Sequence, residues 1–241
     1  MGHDIVLDVP SLGALPAYLA LADTAAGPRP AVVVVHEAFG LVDDIRVIAD
    51  RFASAGFHAI APDLLSYGGM VRCLVTVTRA LSAGQGRPFD EILAARDHLA
   101  ALPECTGAVG IAGFCLGGSF ALLMSTRGFG ASAVQYGRLP KALDAAVAGA
   151  CPVVASYGGR DGSLRGAAAT LYGALERADV VHDVKEYPEA GHSFMGTHPV
   201  PLWMRPMTIP MHSGYVDTAA TDAWDRILTM FTTSLVSSPP A

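Results

Sequence analysis

The sequence predicts an α/β fold: a doubly wound, mostly parallel sheet of about seven to eight strands with helices on both faces. Three observations predict it. Strand-like and helix-like segments alternate along nearly the whole chain, which is the order that builds a parallel sheet with crossover helices. Several strand segments, VVVV at 32–35 above all, are continuous runs rather than alternating ones, as in strands covered on both faces. The composition agrees, with 51% hydrophobic residues, 16% charged residues and a mean hydropathy of +0.39 over 241 residues.

Taken in order, residues 4–9 and 14–21 read as short strands around Pro10-Ser11-Leu12-Gly13, a leading hairpin at the sheet edge. Residues 31–35 form a buried strand that ends in His36-Glu37-Ala38-Phe39-Gly40. Val42, Ile45, Ile48, Ala49 and Phe52 then recur at helical spacing, and Gly56 closes that helix. Residues 57–61 make the next strand, ending at Pro62-Asp63, where Asp63 reads as a loop anchor or helix cap. From 66 to 88 the pattern is poor, with glycines at both ends; a short helix over 74–83 is expected inside it, as a wall of a pocket.

A helix over 88–102 precedes the most informative stretch. Residues 109–112 read as a buried strand and a helix opens near Gly117, with Gly113-Phe114-Cys115-Leu116-Gly117 between them. This is the Gly-x-nucleophile-x-Gly pattern of a nucleophile elbow with cysteine as nucleophile. Small residues two before and two after the nucleophile let strand and helix approach while the nucleophile holds a strained backbone. No charge falls between Cys105 and Thr126, a length that would span a bilayer, but glycines at 107, 110, 113, 117 and 118 divide the run into two short halves. Further strands are expected at 131–135, 153–157 and 181–187, a helix at 164–178, an irregular Pro-rich excursion at 193–214, and a closing helix at 215–235. One domain over 1–236 and a disordered tail over 237–241 complete the expected organisation.

The net charge of −6 offers no basic field, so neither nucleic acid nor an anionic membrane is an expected partner. The N-terminal residues lack the basic and long apolar regions of a secretion signal, and the four cysteines show no pairing logic. A cytoplasmic protein with reduced thiols is expected.

Cys115, Asp161 and His192 each follow a predicted strand, and loops after parallel strands meet on one sheet edge. Their chain order, nucleophile then acid then histidine, is that of the α/β-hydrolase arrangement. In such a triad His192 takes the proton of Cys115 and later activates water, and Asp161 orients the imidazole. His36, His198 and His212 show no close ligand spacing, so no metal is expected.

The motifs VVVVHEAFGL, APDL, GFCLGG, SYGGRDG and EAGHSF, spread over about residues 31–235, resemble those of the dienelactone hydrolase (carboxymethylenebutenolidase) family. The resemblance implies the α/β-hydrolase fold, a Cys115-His192-Asp161 triad, and a Glu37 that interacts with the thiol. It also implies an oxyanion hole from the backbone N–H groups of Ala38 and Leu116, and no cofactor. The implied reaction opens small enol lactones or activated esters through an acyl-cysteine. Alternatives are an esterase or thioesterase of different acyl preference and a catalytically idle small-molecule binding protein. An anionic substrate needs a positive partner, and best-known members carry an arginine four residues beyond the histidine, where this chain has Gly196. Arg72, Arg79 and Arg205 are candidates to replace it, with Tyr136, Phe39 and Trp203 as candidate pocket walls. A monomer or small homo-oligomer is expected. An alternative for Glu37 is an ion pair with Arg160.

Overall fold

The computed structural model describes residues 1–10, 12–68, 70–198 and 209–236. Eight strands form one sheet: β1 (His3–Val9), β2 (Gly13–Ala20), β3 (Arg29–Val35), β4 (His58–Pro62), β5 (Cys105–Phe114), β6 (Ser132–Gln135), β7 (Val153–Gly158) and β8 (His182–Tyr187). Their spatial order is β1-β2-β4-β3-β5-β6-β7-β8. The first two strands pair antiparallel, β2 also meets β4 antiparallel, and every later pairing is parallel. Strand order reverses beside β3, so the loops after β3 and β5 diverge to opposite faces and leave a crevice at their carboxyl ends.

Helices cover both faces. On one side α1 (Asp43–Ser54) and α7 (Asp217–Phe231) meet through Phe52, whose ring centroid lies 5.1 Å from Trp224 and 5.8 Å from Phe231. Phe52 is fully buried, a burial that contributes about 2–3 kcal/mol. On the other side α3 (Arg87–Ala100) packs on α4 (Leu116–Met124) through Phe89 and Phe120, 5.1 Å apart. The helices α5 (Leu143–Val147) and α6 (Ala167–Arg177) continue that layer, and α2 (Met70–Ala83) packs against α3. Arg226 fastens α7 across the sheet edge, donating to both carboxylate oxygens of Asp183 at 2.8 Å and to Ser156 Oγ at 3.0 Å. No helix among the described residues is long and apolar enough to cross a membrane.

Several element boundaries differ from those read in the sequence. The strand expected at 109–112 begins at Cys105, because Cys105 pairs with Arg29 at the solvent-exposed amino ends of β5 and β3, where no apolar run is needed. The helix expected over 74–83 starts at Met70. The sequence pattern misses α5, a five-residue helix whose two buried side chains, Leu143 and Val147, are too few to set a period. The tail at 237–241 and part of the excursion, 199–208, lie outside the described residues.

Candidate active site

The elbow is built by close backbone approach. Cys115 has φ 54° and ψ −113° at the junction of β5 and α4, a conformation that an L-residue holds only when its surroundings enforce it. A β-carbon on Gly113 would stand 1.9 Å from the Gly117 carbonyl oxygen, and one on Gly117 would stand 2.1 Å from the Val35 carbonyl oxygen. Glycine at both places therefore lets β5, α4 and the end of β3 converge, and the thiol rises above the sheet partly exposed.

Two further strand ends complete a relay from this thiol. Leaving β8, His192 brings Nε2 to 3.0 Å from Cys115 Sγ, while its Nδ1 lies 2.6 Å from Asp161 Oδ2 in the loop after β7. Both His192 and Asp161 are buried. The loop that carries the histidine is fixed by its own backbone: His192 N–H donates to Met211 O at 2.8 Å and Gly214 N–H donates to His192 O at 3.3 Å. Asp161 is held from behind by the Ser163 backbone N–H at 2.9 Å and hydroxyl at 2.6 Å, both on Oδ1, which leaves Oδ2 for the imidazole.

These contacts set the charge states. Burial alone raises the Asp161 carboxyl, yet hydrogen bonds from His192 and Ser163 hold it below the usual range. Burial alone lowers the imidazole, but the hydrogen bonds to Asp161 and Cys115 outweigh it and raise His192 to about 10. An imidazolium 3.0 Å from sulfur stabilises negative charge there, and the thiolate is the nucleophilic form.

Glu37 follows β3 in the turn Glu37-Ala38-Phe39-Gly40, closed by Gly40 N–H on Glu37 O at 3.3 Å with Gly40 at φ 81°. Burial pushes its carboxyl up, against the charge of His192 and hydrogen bonds from Ser193 and Tyr136. Tyr136, at the end of β6, is buried with φ 40°, and its ring lies 5.3 Å from that of His192. Burial and the charges of Glu37 and Cys115 raise the phenol well above its ordinary range, so its hydroxyl stays protonated and donates to Glu37. No ion pair joins Glu37 to Arg160 or to any other cation among the described residues. Ser193 was not singled out in the sequence; its place directly after the histidine and its φ of 52° turn it toward Glu37, and backbone sign is not visible in residue type.

Neither the Ala38 nor the Leu116 N–H donates to another protein group among the described residues. A β-carbon on Gly196 would lie 3.9 Å from Glu37 Oε1 and 3.7 Å from Asp44 Oδ2, so the surroundings of that glycine are acidic. Asp44, also missed in the sequence, accepts from Thr197 N–H at 2.6 Å, Thr197 Oγ1 at 2.9 Å and His198 N–H. Phe39 packs against His198, ring centroids 5.4 Å apart. Arg72 and Arg79 are exposed on α2, and neither forms an ion pair among the described residues. Trp203 and Arg205 lie outside the described residues. Among the described residues no group of three or more His, Cys, Asp or Glu stands together to hold a metal ion, and all four cysteines are free thiols.

A doubly wound sheet that carries its nucleophile on a strained strand-to-helix turn, with acid and histidine on later strand ends, defines an α/β-hydrolase. The sequence matches the model of the dienelactone hydrolase family over residues 15–235, and the chain belongs to that family. A Yersinia pestis protein that carries the name of a carboxymethylenebutenolidase is 33% identical, the match covering 96% of this chain and 89% of the relative. A Klebsiella pneumoniae crystal structure that carries the name of a dienelactone hydrolase superposes with a TM-score of 0.73 at 28% identity, covering 96% of this chain and 99% of that one. A dienelactone hydrolase-like promiscuous phosphotriesterase from metagenomic libraries gives a TM-score of 0.78 at 26% identity, covering 97% and 98%.

Proposed function

We propose that this protein hydrolyses small enol lactones or activated carboxylic esters through an acyl-cysteine intermediate. The observation that carries the reading is the relay Cys115 Sγ to His192 Nε2 at 3.0 Å and His192 Nδ1 to Asp161 Oδ2 at 2.6 Å on a strained elbow.

His192 Nε2 takes the Cys115 proton as the sulfur attacks the acyl carbon. The carbonyl π pair moves to oxygen, which the Ala38 and Leu116 N–H groups receive. On collapse the C–O bond breaks, the leaving enolate takes the imidazolium proton, and the acyl group stays on sulfur. In a lactone the enol remains tethered to that acyl group and tautomerises to the ketone. Water then gives a proton to His192 Nε2 and attacks the thioester carbonyl; the C–S bond breaks, the carboxylic acid leaves and the thiol is restored.

Thiolate leaves a tetrahedral intermediate more readily than an alkoxide or amide nitrogen, so substrates with stabilised leaving groups are favoured. Rates measured across a series of esters, from aryl to alkyl, with a matching amide test this. Turnover is expected to fall steeply as the leaving group becomes more basic, and efficient amide hydrolysis would contradict the mechanism.

The substrate class can be drawn more finely. An anionic substrate, with Arg205, Arg72 or Arg79 as its counter-charge, follows from the family resemblance. The acidic surroundings of Gly196 favour a second reading, an esterase or thioesterase for uncharged acyl groups. Comparing an enol lactone with and without a carboxylate decides between them. Phe39, Tyr136 and Trp203 are the proposed walls of the acyl pocket, and a reducing, cytoplasmic setting suits a free thiol nucleophile.

A further inference from the structure

His36 stands at the end of β3, one residue before the proposed oxyanion turn, and is buried. Its two ring nitrogens have partners that fix its tautomer. Leu64 N–H lies 3.0 Å from Nε2, and a backbone N–H only donates, so Nε2 is the bare acceptor. Nδ1 therefore carries the hydrogen and donates to the Glu37 carbonyl oxygen at 2.6 Å. Burial pushes the imidazole down, which keeps it in this neutral form.

The Glu37 carbonyl belongs to the same planar peptide as the Ala38 N–H, and in a trans peptide the two point in opposite directions. That carbonyl also accepts from Gly40 N–H. Two donors thus hold one end of the plane while the other end, the Ala38 N–H, has no protein partner among the described residues. The histidine also ties this plane to the loop after β4, through Leu64, which is itself buried.

We propose that His36 is a positioning residue for the oxyanion hole: its Nδ1–H fixes the Glu37–Ala38 peptide so that the Ala38 N–H faces the oxygen of the reacting carbonyl. The assignment rests on the hydrolase reading above. It gives His36 a task that needs a donor at the Nδ1 place and an acceptor at Nε2, which an apolar side chain cannot supply.

Two conservative variants separate this role from simple loop support. Asparagine places its amide nitrogen near the Nδ1 position, so His36→Asn keeps the hydrogen bond to the Glu37 carbonyl. Glutamine reaches the Nε2 position, so His36→Gln keeps the contact with Leu64 and loses the peptide. Each variant is assayed for kcat and KM on an activated aryl ester, and for alkylation of Cys115 by iodoacetamide followed by peptide mass mapping. Alkylation displaces iodide at a saturated carbon and builds no oxyanion, so it reads the triad without the hole. The expected result is that His36→Asn retains most of the wild-type kcat. His36→Gln should lose about 10²-fold in kcat, the scale of losing one oxyanion donor, with KM little changed and Cys115 alkylated at the wild-type rate. Equal losses in the two variants, wild-type kcat in His36→Gln, or slowed alkylation in His36→Gln would each overturn the proposal. Absence of turnover by the wild-type protein would instead overturn the hydrolase reading, and this assignment with it.

Discussion

A β-carbon on Gly113 would stand 1.9 Å from the carbonyl oxygen of Gly117, across the turn that lifts Cys115. Backbone on both sides leaves no flexible side chain to yield. Gly113→Ala is expected to cost more than about 3 kcal/mol, the range of severe steric lesions. Chemical denaturation or soluble yield checks it, with Ala112→Gly in the same strand as the mild control.

Asp161 Oδ2 faces His192 Nδ1 while Oδ1 is occupied by Ser163. Asp161→Asn places a neutral amide there, removes the charge that favours the imidazolium, and permits the wrong tautomer. The expected loss is about 10⁴-fold in kcat, as in other triads, with thermal stability near wild type. Retention of activity would show that another group orients His192.

Glu37 forms no ion pair with a lysine or arginine among the described residues and is hydrogen-bonded by Tyr136 and Ser193. Its carboxyl is raised by burial, and in the proposed mechanism it exchanges a proton as substrate enters. Glu37→Gln is expected to slow acylation, seen as a smaller rate constant for the burst of released leaving group, with deacylation less affected. Tyr136→Phe removes one donor from Glu37 and should produce a weaker change in the same step. An unchanged burst in Glu37→Gln would remove Glu37 from the mechanism.

Away from the site, Glu91 on α3 is fully buried, with Oε1 2.6 Å from Arg87 Nε and Oε2 without a protein partner among the described residues. Burial raises it from 4.5 to about 7, against the hydrogen bond and charge of Arg87. Because the folded value is the higher one, the folded state binds more protons between these limits. The stabilisation is complete below about 4.5 and is lost as pH rises through about 7, a change on the order of 3 kcal/mol. Thermal unfolding at pH 5 and pH 8 should show a fall in wild type that Glu91→Gln largely flattens. Parallel curves for the two proteins would refute the assignment.

The parts of the site that were legible in the sequence are those written in residue type and spacing. The glycines around Cys115 signal a turn that no other residue tolerates, and Asp161 follows a strand that opens on the buried apolar run Val153-Val154-Ala155. The runs at 32–35 and 153–157 likewise gave the parallel sheet. What was not legible depends on direction in space. His36 and Asp44 look like an ordinary loop histidine and a helix-start acid, yet each reaches a segment distant in the chain, Leu64 and residues 197–198. Ser193 acts through a backbone sign that serine does not advertise. Helix α5 carries only Asp144 and two alanines between its two apolar anchors, so no period emerges.

The anchors around the histidine loop have an evolutionary consequence. Before residue 199 the chain is tied to α1 by Asp44 through Thr197 and His198, and after residue 208 it is tied to His192 by Met211 and Gly214 and to Phe194 by Val216. The intervening ten residues are thus bracketed by fixed points on both sides. The catalytic relay can therefore be inherited intact through the two flanks, each of which carries its own ties to the core.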